Sequence, residues 1–206
     1  MGAANDFARF GVATTYMAAG YTGLIDLDLV QIIPGTRVAG PARTVRCGQD
    51  DNLMVHALMA SLQAGDVLVI TMPVPRPVAL MGGLLATQAA HRGAAGVLID
   101  AAVRDTSDLR DLGLPVWARW VRATQAAKEA VGAIDVPVVV GGTTIRPGDI
   151  VVLDTDGAVA VPAARQAEVF SAATSLVEVE RQRRLQYEAG ALSLDVMSLR
   201  QKLEER

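Results

Sequence analysis

The chain has 206 residues, of which 51% are hydrophobic and 20% charged, and its formal net charge is -3. This composition suffices for one domain with a sizeable core. The mild acidity argues against a nucleic-acid-binding surface, and no apolar run approaches the roughly 18 residues of a membrane helix. The single Cys47 excludes an internal disulfide, and the first residues lack the apolar core of a secretory signal. We therefore expect a cytoplasmic protein with no membrane or nucleic-acid partner.

The first third of the chain is predicted to alternate helices and strands. We expect an N-terminal helix from Asp6 to Ala19, a turn at Pro34-Gly35, and a strand over Arg37–Val45, where polar and apolar residues alternate. A helix from Asn52 to Gln63 and a buried strand over Val67–Ile70 follow. This order of elements is typical of an α/β fold.

The middle of the chain carries the pattern with the strongest functional content. Residues Gly82–Gly93 begin with a glycine turn, continue as a helix and end at a second glycine. The apolar run Ala94–Ile99 then predicts a buried strand. Farther on, Ile150–Leu153 and Ala158–Val161 predict two strands joined by a turn at Asp156-Gly157. We expect a sheet of mixed strands between helices.

An Arg-Asp pair follows the predicted strand Ala94–Ile99, close to the helix that begins after Gly82. Ligands of open α/β sheets gather where strands end and helix N-termini point, because free N–H groups attract anions there. Arg104 offers a cation for an oxyanion, and Asp105 offers a carboxylate for a metal ion. The alternative is a surface ion pair of little energetic value. Spacing alone leaves both interpretations open.

The lone cysteine and the two histidines are predicted to be structural. Cys47 lies in an alternating stretch without a nearby histidine, so we expect a buried packing residue rather than a nucleophile. His56 and His91 lie on two different predicted helices and do not form a metal-binding pair. Of the two, His56 is expected to lie nearer the pocket.

The C-terminal part of the chain is predicted to be one long helix from about Ala163 to Ala189. At 1.5 Å per residue it would reach about 40 Å, beyond the edge of a domain of this size. We therefore divide the chain into one α/β domain over residues 1–162 and a helical extension over residues 163–206. The extension is expected to pack on a neighbouring subunit.

Five motifs occur in the order and spacing of a known family: Gly82-Gly-Leu-Leu-Ala86, Ile99-Asp100, Val103-Arg-Asp105, Leu114-Pro-Val-Trp117 and Pro147-Gly-Asp149. The chain resembles class II pyruvate aldolases of the 4-hydroxy-4-methyl-2-oxoglutarate or 4-carboxy-4-hydroxy-2-oxoadipate type. That family also contains the regulator of ribonuclease activity A, which is not an enzyme. The resemblance covers nearly the whole chain. It implies an α-β-β-α sandwich with a swivelling β/β/α-type core and a homotrimer or hexamer.

The resemblance also implies a chemistry for the Arg-Asp pair. Asp105 would hold Mg²⁺ or Mn²⁺, whose other ligands would be mostly waters and a 2-oxo acid substrate. Arg104 would face the oxygen on which the charge of a pyruvate enolate develops. The implied reaction is retro-aldol cleavage of a 4-hydroxy-2-oxo acid to pyruvate, and the same enolate route would decarboxylate oxaloacetate.

The resemblance assigns the remaining site residues to two helices. Gly82 and Gly83 would open the substrate-binding helix, and the N–H groups of Leu84 and Leu85 would bind the substrate carboxylate. Glu180, on the long helix, would supply an acid to the site of the adjacent subunit. The alternative for Glu180 is a surface charge that pairs with an arginine four residues later on the same helix.

Two departures from the family pattern keep the function open. Gly83 stands where the metal-dependent members carry an acid, and Thr71–Met81 is proline-rich where they have a glycine-rich or acidic loop. Arg76 in that loop is either a substitute carboxylate clamp or a solvated arginine. Asp50 and Asp51 are candidates for a substitute acid if their loop folds toward the site.

Three functional hypotheses follow from these residues. The first is a metal-dependent aldolase or decarboxylase, and the second is a non-catalytic regulator or binding protein of the same fold. The third is a pathway enzyme with different chemistry in the same cleft. Metal binding separates the second from the others, and turnover of oxaloacetate separates the first from the third.

Overall fold

The computed structural model describes residues 3–204 and contains eight α-helices within that range. They are α1 (Ala3–Asp6), α2 (Gly11–Ala18), α3 (Leu53–Leu58), α4 (Gly83–His91), α5 (Thr106–Leu112), α6 (Gln166–Glu188), α7 (Ser193–Val196) and α8 (Arg200–Glu204). Short 3-10 helices cover Phe7–Arg9 and Ala163–Arg165. The strands are β1 (Val30–Gln31), β2 (Val38–Arg46), β3 (Val67–Thr71), β4 (Ala79–Met81), β5 (Gly96–Val103), β6 (Val116–Val121), β7 (Ala133–Ile134), β8 (Val138–Val140), β9 (Thr143–Ile145), β10 (Ile150–Asp154) and β11 (Gly157–Val161).

Nine of these strands form one mixed sheet. Its main path is β1-β6-β5-β3-β2-β10-β11, with β4 paired to β5 and β7 paired to β2. The pairs β2-β3, β3-β5, β4-β5 and β5-β6 are parallel, whereas β10 is antiparallel to both β2 and β11. Strands β8 and β9 form a separate antiparallel hairpin. The parallel strands therefore lie together, and their carboxyl ends share one edge of the sheet.

Three apolar cores show how the layers stack. Alternate residues of β3 and β5, such as Leu68 and Ile99, pack against α3, α4 and α5. The opposite faces of these strands, which include Val69, pack against β10 and β11 in a second core. A third core joins the outer face of β10 and β11 to α2 and the start of α6. The first layer contains α3, α4 and α5, and the second contains the parallel strands. The sheet curls so that β10 and β11 form the third layer, and α2 and α6 form the fourth. The predicted α/β sandwich with a long C-terminal helix is therefore confirmed.

Two predicted element ends were wrong, and the predicted N-terminal helix Asp6–Ala19 is divided at Phe10 into a 3-10 helix and α2. Helix α3 ends at Leu58 rather than Gln63, because the Asp66 carboxylate accepts the Gln63 N–H at 2.8 Å and holds a turn that Gly65 continues with φ of 89°. Strand β5 runs to Val103 rather than Ile99, and all eight of its residues are buried. The three-residue strand β4, inside the proline-rich segment, was not predicted.

Cys47 is buried in the core beside α3. Burial raises the pKa of its thiol to about 12, so the thiolate needed for nucleophilic chemistry does not form near neutral pH. The prediction of a packing residue is therefore confirmed.

Helix α6 is anchored only at its beginning. Val169 and Ala173 are its two buried residues, and the Phe170 ring makes edge-to-face contacts with Phe7 and Phe10 at centroid distances of 5.2 and 5.0 Å. Beyond Ala173 no described residue of α6 is buried. The second half of the helix thus extends away from the core. No helix within residues 3–204 has the length and apolar character needed to span a membrane.

Candidate active site

The ends of β4 and β5 bring the predicted site residues together. The two strands are parallel neighbours, with Met81 in register with Val103, and the Arg104 N–H donates to the Met81 carbonyl at 3.1 Å. Gly82 follows β4 and Arg104 follows β5, so both leave the sheet at the same edge. The start of α4 and the Arg-Asp pair are adjacent for this topological reason, as the sequence predicted.

Asp105 has an unusual backbone and an unusual hydrogen bond. Its φ of 57° and ψ of 44° are left-handed, a conformation that aspartate tolerates better than most residues. It occupies the N-cap position of α5, yet its side chain does not cap that helix. Instead, Oδ2 accepts the N–H of Gly83 at 3.0 Å and lies 3.5 Å from the Nε of Arg104. The carboxylate therefore serves the start of α4 rather than its own helix.

Gly82 is required by the closeness of this pair. A Cβ at position 82 would lie 2.5 Å from Oδ2 of Asp105 and 3.0 Å from both Cγ and Nε of Arg104. Its φ of -140° is an ordinary extended conformation, so the constraint comes from the neighbouring side chains rather than from the backbone. The first glycine of the pair thus leaves room for the Arg-Asp arrangement.

Gly83 shows a second carboxylate at the same place. A Cβ at position 83 would lie 3.0 Å from Oδ2 of Asp108, in the first turn of α5. An acidic side chain at position 83 would thus enter space that Asp108 already borders. Asp108 was not predicted as a site residue, although its spacing of three residues from Asp105 places both at the start of one helix.

These elements enclose a cavity of about 280 Å³, at the small end of the range for metabolite pockets. Leu84 stands at its mouth with 88% of its surface exposed, and the side chains of Arg104 and Asp105 are 38% and 40% exposed. The cavity is lined by Asn52, His56, Ala79, Gly82, Leu84, Leu85, Arg104, Asp105, Gln125, Ala126 and Lys128. One wall of the cavity therefore consists of predicted site residues. The residues of the other wall, except for His56, were not predicted from the sequence.

Buried Asp51 holds the missed wall in place. Its Oδ1 accepts the N–H of Leu53 at 2.8 Å, and its Oδ2 accepts the N–H groups of Glu129 and Ala130 at 2.6 and 3.0 Å. Burial alone would raise the pKa of this carboxyl, but the three backbone hydrogen bonds outweigh burial and lower its pKa. Both carboxylate oxygens of Asp51 accept backbone hydrogen bonds, so Asp51 has a structural role and is not a candidate ligand.

Backbone bridges complete the fastening of this wall. Asp51 pairs with Ala127, and Ala79 of β4 pairs with Gln125, in isolated parallel bridges. Lys128 therefore lies on a segment held at two points, beside the start of α3. Residues 51 and 129 are far apart in sequence, and a side chain that joins such segments leaves no periodic signal that sequence inspection could detect.

The other candidates lie outside the cavity. Asp50 pairs with Arg76 at 3.1 Å, and neither residue lines the cavity, so the substitute acid and the substitute clamp are not placed at the site. Glu180 is exposed on α6 beside Arg183, Arg184 and Tyr187, away from the cleft of its own chain. Among the described residues Glu180 has no ion pair, so the alternative pairing with Arg184, four residues later, does not form.

The donor set around the cleft suits a weakly held, hard cation. Within residues 3–204, no three histidine, cysteine or acidic side chains cluster closely enough to hold a metal ion. A Mg²⁺ or Mn²⁺ ion can be bound through one or two carboxylates, with waters and substrate as its other ligands. Asp105, with Asp108 nearby, fits that sparse type of site.

The fold and the cleft define an α/β protein with a pocket lined by Arg104 and Asp105 at the carboxyl ends of parallel strands. Comparison with known families makes the assignment specific: the RraA-like family, described as Aldolase/RraA, matches residues 15–160. The chain belongs to this family.

Individual relatives point to two kinds of function. A Halalkalibacterium halodurans protein, provisionally named 4-hydroxy-4-methyl-2-oxoglutarate aldolase, is 32% identical, with 94% of this chain and 91% of that protein covered. Streptomyces coelicolor RraAS2, an unusual member of the RNase ES inhibitor RraA family, is 28% identical with a TM-score of 0.75, covering 87% of this chain and 95% of its own. The RNA-processing inhibitor RraA of Thermus thermophilus is 32% identical with a TM-score of 0.64, covering 72% and 92%.

The backbone hydrogen bonds accepted by Asp51 lead to a prediction about stability. Asp51→Asn replaces one accepting oxygen by an amide donor, so backbone N–H groups lose partners and stability falls by about 2–3 kcal/mol in urea unfolding at neutral pH. Because the folded pKa is lowered, this stabilisation is fully present above the ordinary carboxyl value of 3.8 and is lost as pH falls through the folded value. The difference in unfolding free energy between the wild type and Asp51→Asn should therefore decrease as the pH falls. Asp50→Asn, next to it but partly exposed and paired only with surface groups, should cost under about 1 kcal/mol. Equal losses for the two variants would contradict the structural role of Asp51.

Proposed function

We propose that this protein is a divalent-metal-dependent lyase that cleaves a 4-hydroxy-2-oxo acid to pyruvate and also decarboxylates oxaloacetate. The observation that carries the proposal is the single cleft in which Arg104 and Asp105 meet the N-terminus of α4. The Asp105 side chain leaves its own helix uncapped, lines this cleft and accepts the Gly83 N–H at the start of α4. We place the reaction in the cytoplasm.

The start of α4 would bind the substrate carboxylate. The N–H groups of the first helical turn have no acceptor within the helix, and Gly83 already donates to Asp105. Leu84 and Leu85 follow in the same turn and line the cavity, so their N–H groups are the donors for an anion. The exposed Leu84 side chain would cover the mouth of the cleft once a ligand is bound.

Asp105 would hold Mg²⁺ or Mn²⁺, with Asp108 as a second carboxylate that orders the waters around it. Asp108 borders the space that an acid at position 83 would enter, which supports a metal site despite the glycine there. When bound, the ion would polarise the 2-oxo group toward an enolate.

Arg104 would stabilise the charge that the reaction creates. In the cleavage, the 4-hydroxyl loses its proton to water, the C3–C4 bond breaks, and the electron pair of that bond moves toward C3 and the 2-oxo oxygen. The second product leaves as a carbonyl compound. The Arg104 guanidinium lines the same cavity and carries the positive charge needed at the developing oxyanion.

A second copy of the chain would complete the site. Past Ala173 the described residues of α6 are not buried. Several of them are apolar, and their exposed fractions are between 40% and 49%: Val177, Val179 and Leu185. A helix of about 35 Å that is anchored only at its start needs a partner surface. We propose a homotrimer or hexamer in which closed symmetry brings each Glu180 to a neighbouring cleft.

A regulator is the second candidate function. The specific observation in its favour is Gly83, which lacks the carboxylate of the metal-dependent aldolases. One solved relative is described as an RNA-processing inhibitor, and another as an unusual member of the RNase ES inhibitor family. Such a protein would bind a partner protein and would neither bind metal in the cleft nor turn over a 2-oxo acid. A pathway enzyme with different chemistry in the same cleft is the third candidate, supported by the proline-rich segment Thr71–Met81 beside the cleft.

Removal of the Arg104 charge should impair turnover while the fold remains. Arg104→Ala should lower kcat for pyruvate release from oxaloacetate by about 10²-fold to 10³-fold, because a donor aimed at a developing oxyanion is lost. Arg119→Ala is the matched control, since Arg119 pairs with Asp100 at 3.0 Å outside the cavity. Equal activity of the two variants would remove Arg104 from the mechanism.

Mixing of two inactive variants tests the shared site. Asp105→Ala damages the cleft and Glu180→Ala damages the residue given to a neighbour, so mixed oligomers should regain part of the wild-type activity. A mixture of Asp105→Ala with Arg104→Ala should regain none, because both residues belong to the same chain's cleft. Activity of a monomeric form, measured by sedimentation and turnover together, would contradict the shared site.

A further inference from the structure

The cleft contains a buried hydrogen-bond acceptor without a partner. Asn52 is 7% exposed, and its Nδ2 donates to the carbonyl of Leu80 at 3.0 Å. Its Oδ1 is buried and has no hydrogen-bond partner among the described residues. Buried polar atoms are nearly always paired, so such an exception needs an explanation. Asn52 lines the cavity, which offers one: a ligand atom is the partner.

The amide of Asn52 cannot easily turn to find another partner. Its Nδ2 is tied to β4 through Leu80, and its backbone N–H donates to the Ala127 carbonyl at 3.0 Å. Its neighbour Asp51 is fixed by three backbone hydrogen bonds. The oxygen is therefore presented in one orientation, which is the preorganisation that a selective contact requires.

The charges that line the cleft indicate which kind of donor group can form a hydrogen bond to this oxygen. Arg104 and Lys128 outnumber Asp105 among the charged groups that line the cavity, so an organic cation on the ligand is disfavoured beside Asn52. An ionised carboxylate has no proton to donate. A neutral hydroxyl on an otherwise anionic small molecule remains, and the ammonium of Lys128 on the same wall suits a carboxylate farther along that molecule.

We infer that Asn52 is the residue that selects hydroxylated substrates, by accepting a hydrogen bond from the substrate hydroxyl. This inference rests on the proposed lyase function and names the residue of this chain that distinguishes a 4-hydroxy-2-oxo acid from an oxo acid without the hydroxyl. A neutral amide oxygen is too weak a base to keep the proton, so Asn52 holds the hydroxyl and does not deprotonate it. The bond forms when the substrate binds and persists into the transition state, in which the hydroxyl proton is only partly transferred to water.

The kinetic test uses two substrates that differ in the hydroxyl. Asn52→Ala should raise KM for 4-hydroxy-2-oxoglutarate about tenfold with a much smaller effect on kcat, because ground-state binding is lost. Decarboxylation of oxaloacetate, which has no hydroxyl, should keep its KM. Asn5→Ala is the matched control, because Asn5 also donates to backbone carbonyls, those of Ala39 and Gly65, outside the cavity. Equal changes for both substrates would overturn the inference.

A binding measurement separates this inference from the proposed function. Malate and succinate differ only by a hydroxyl, and calorimetry with a chelator present excludes a metal ion as the cause of any preference. The wild type should bind malate about tenfold more tightly than succinate, and Asn52→Ala should bind the two alike. If the wild type prefers malate but shows no turnover, the lyase function is refuted and the role of Asn52 is supported. Equal binding of malate and succinate by the wild type overturns the inference even if Asn52→Ala does not fold.

Discussion

The hydrogen bond from the Gly83 N–H to the Asp105 carboxylate joins the two halves of the predicted site. It connects the second residue after β5 to the first turn of α4, and Arg104 lies against the same carboxylate oxygen. The arrangement has two local costs: a left-handed aspartate, and a helix α5 without a side-chain cap. It also demands glycine at position 82, where a Cβ would lie 2.5 Å from the carboxylate. The cleft exists because the buried strand β5 delivers this pair at a fixed edge of the sheet.

The sequence predicted the parts of the site that local patterns encode. The glycine turn before α4 and the apolar run before Arg104 are neighbours in sequence, and parallel strands bring their ends together. The opposite wall could not be predicted, because it depends on the Asp51 carboxylate reaching Glu129 across the fold. The same limit applies to element boundaries, since the Asp66 carboxylate ends α3 early through a contact that has no helical period. Long-range hydrogen bonds, rather than apolar periodicity, account for what was missed.

Membership in the RraA-like family fixes the fold but not the activity, because its members carry names of aldolases and of inhibitors of RNA processing. The physical distinction between these functions lies in two places. A lyase needs the Arg104-Asp105 cleft to hold an ion and a small acid, whereas a regulator needs a surface for a protein. The cleft of this chain contains the Arg104-Asp105 pair and an oriented Asn52 oxygen that has no partner within residues 3–204. Both features concern small molecules, and this is why the enzymatic account is preferred despite Gly83.

The most direct test of the account is metal-dependent pyruvate release from 4-hydroxy-4-methyl-2-oxoglutarate by the wild type and by Asp105→Asn. Turnover should require Mg²⁺ or Mn²⁺, stop on chelation and return when the ion is restored, and the variant should be inactive at every ion concentration tested. Turnover that persists after chelation, or that Asp105→Asn retains, would contradict the central role of this carboxylate.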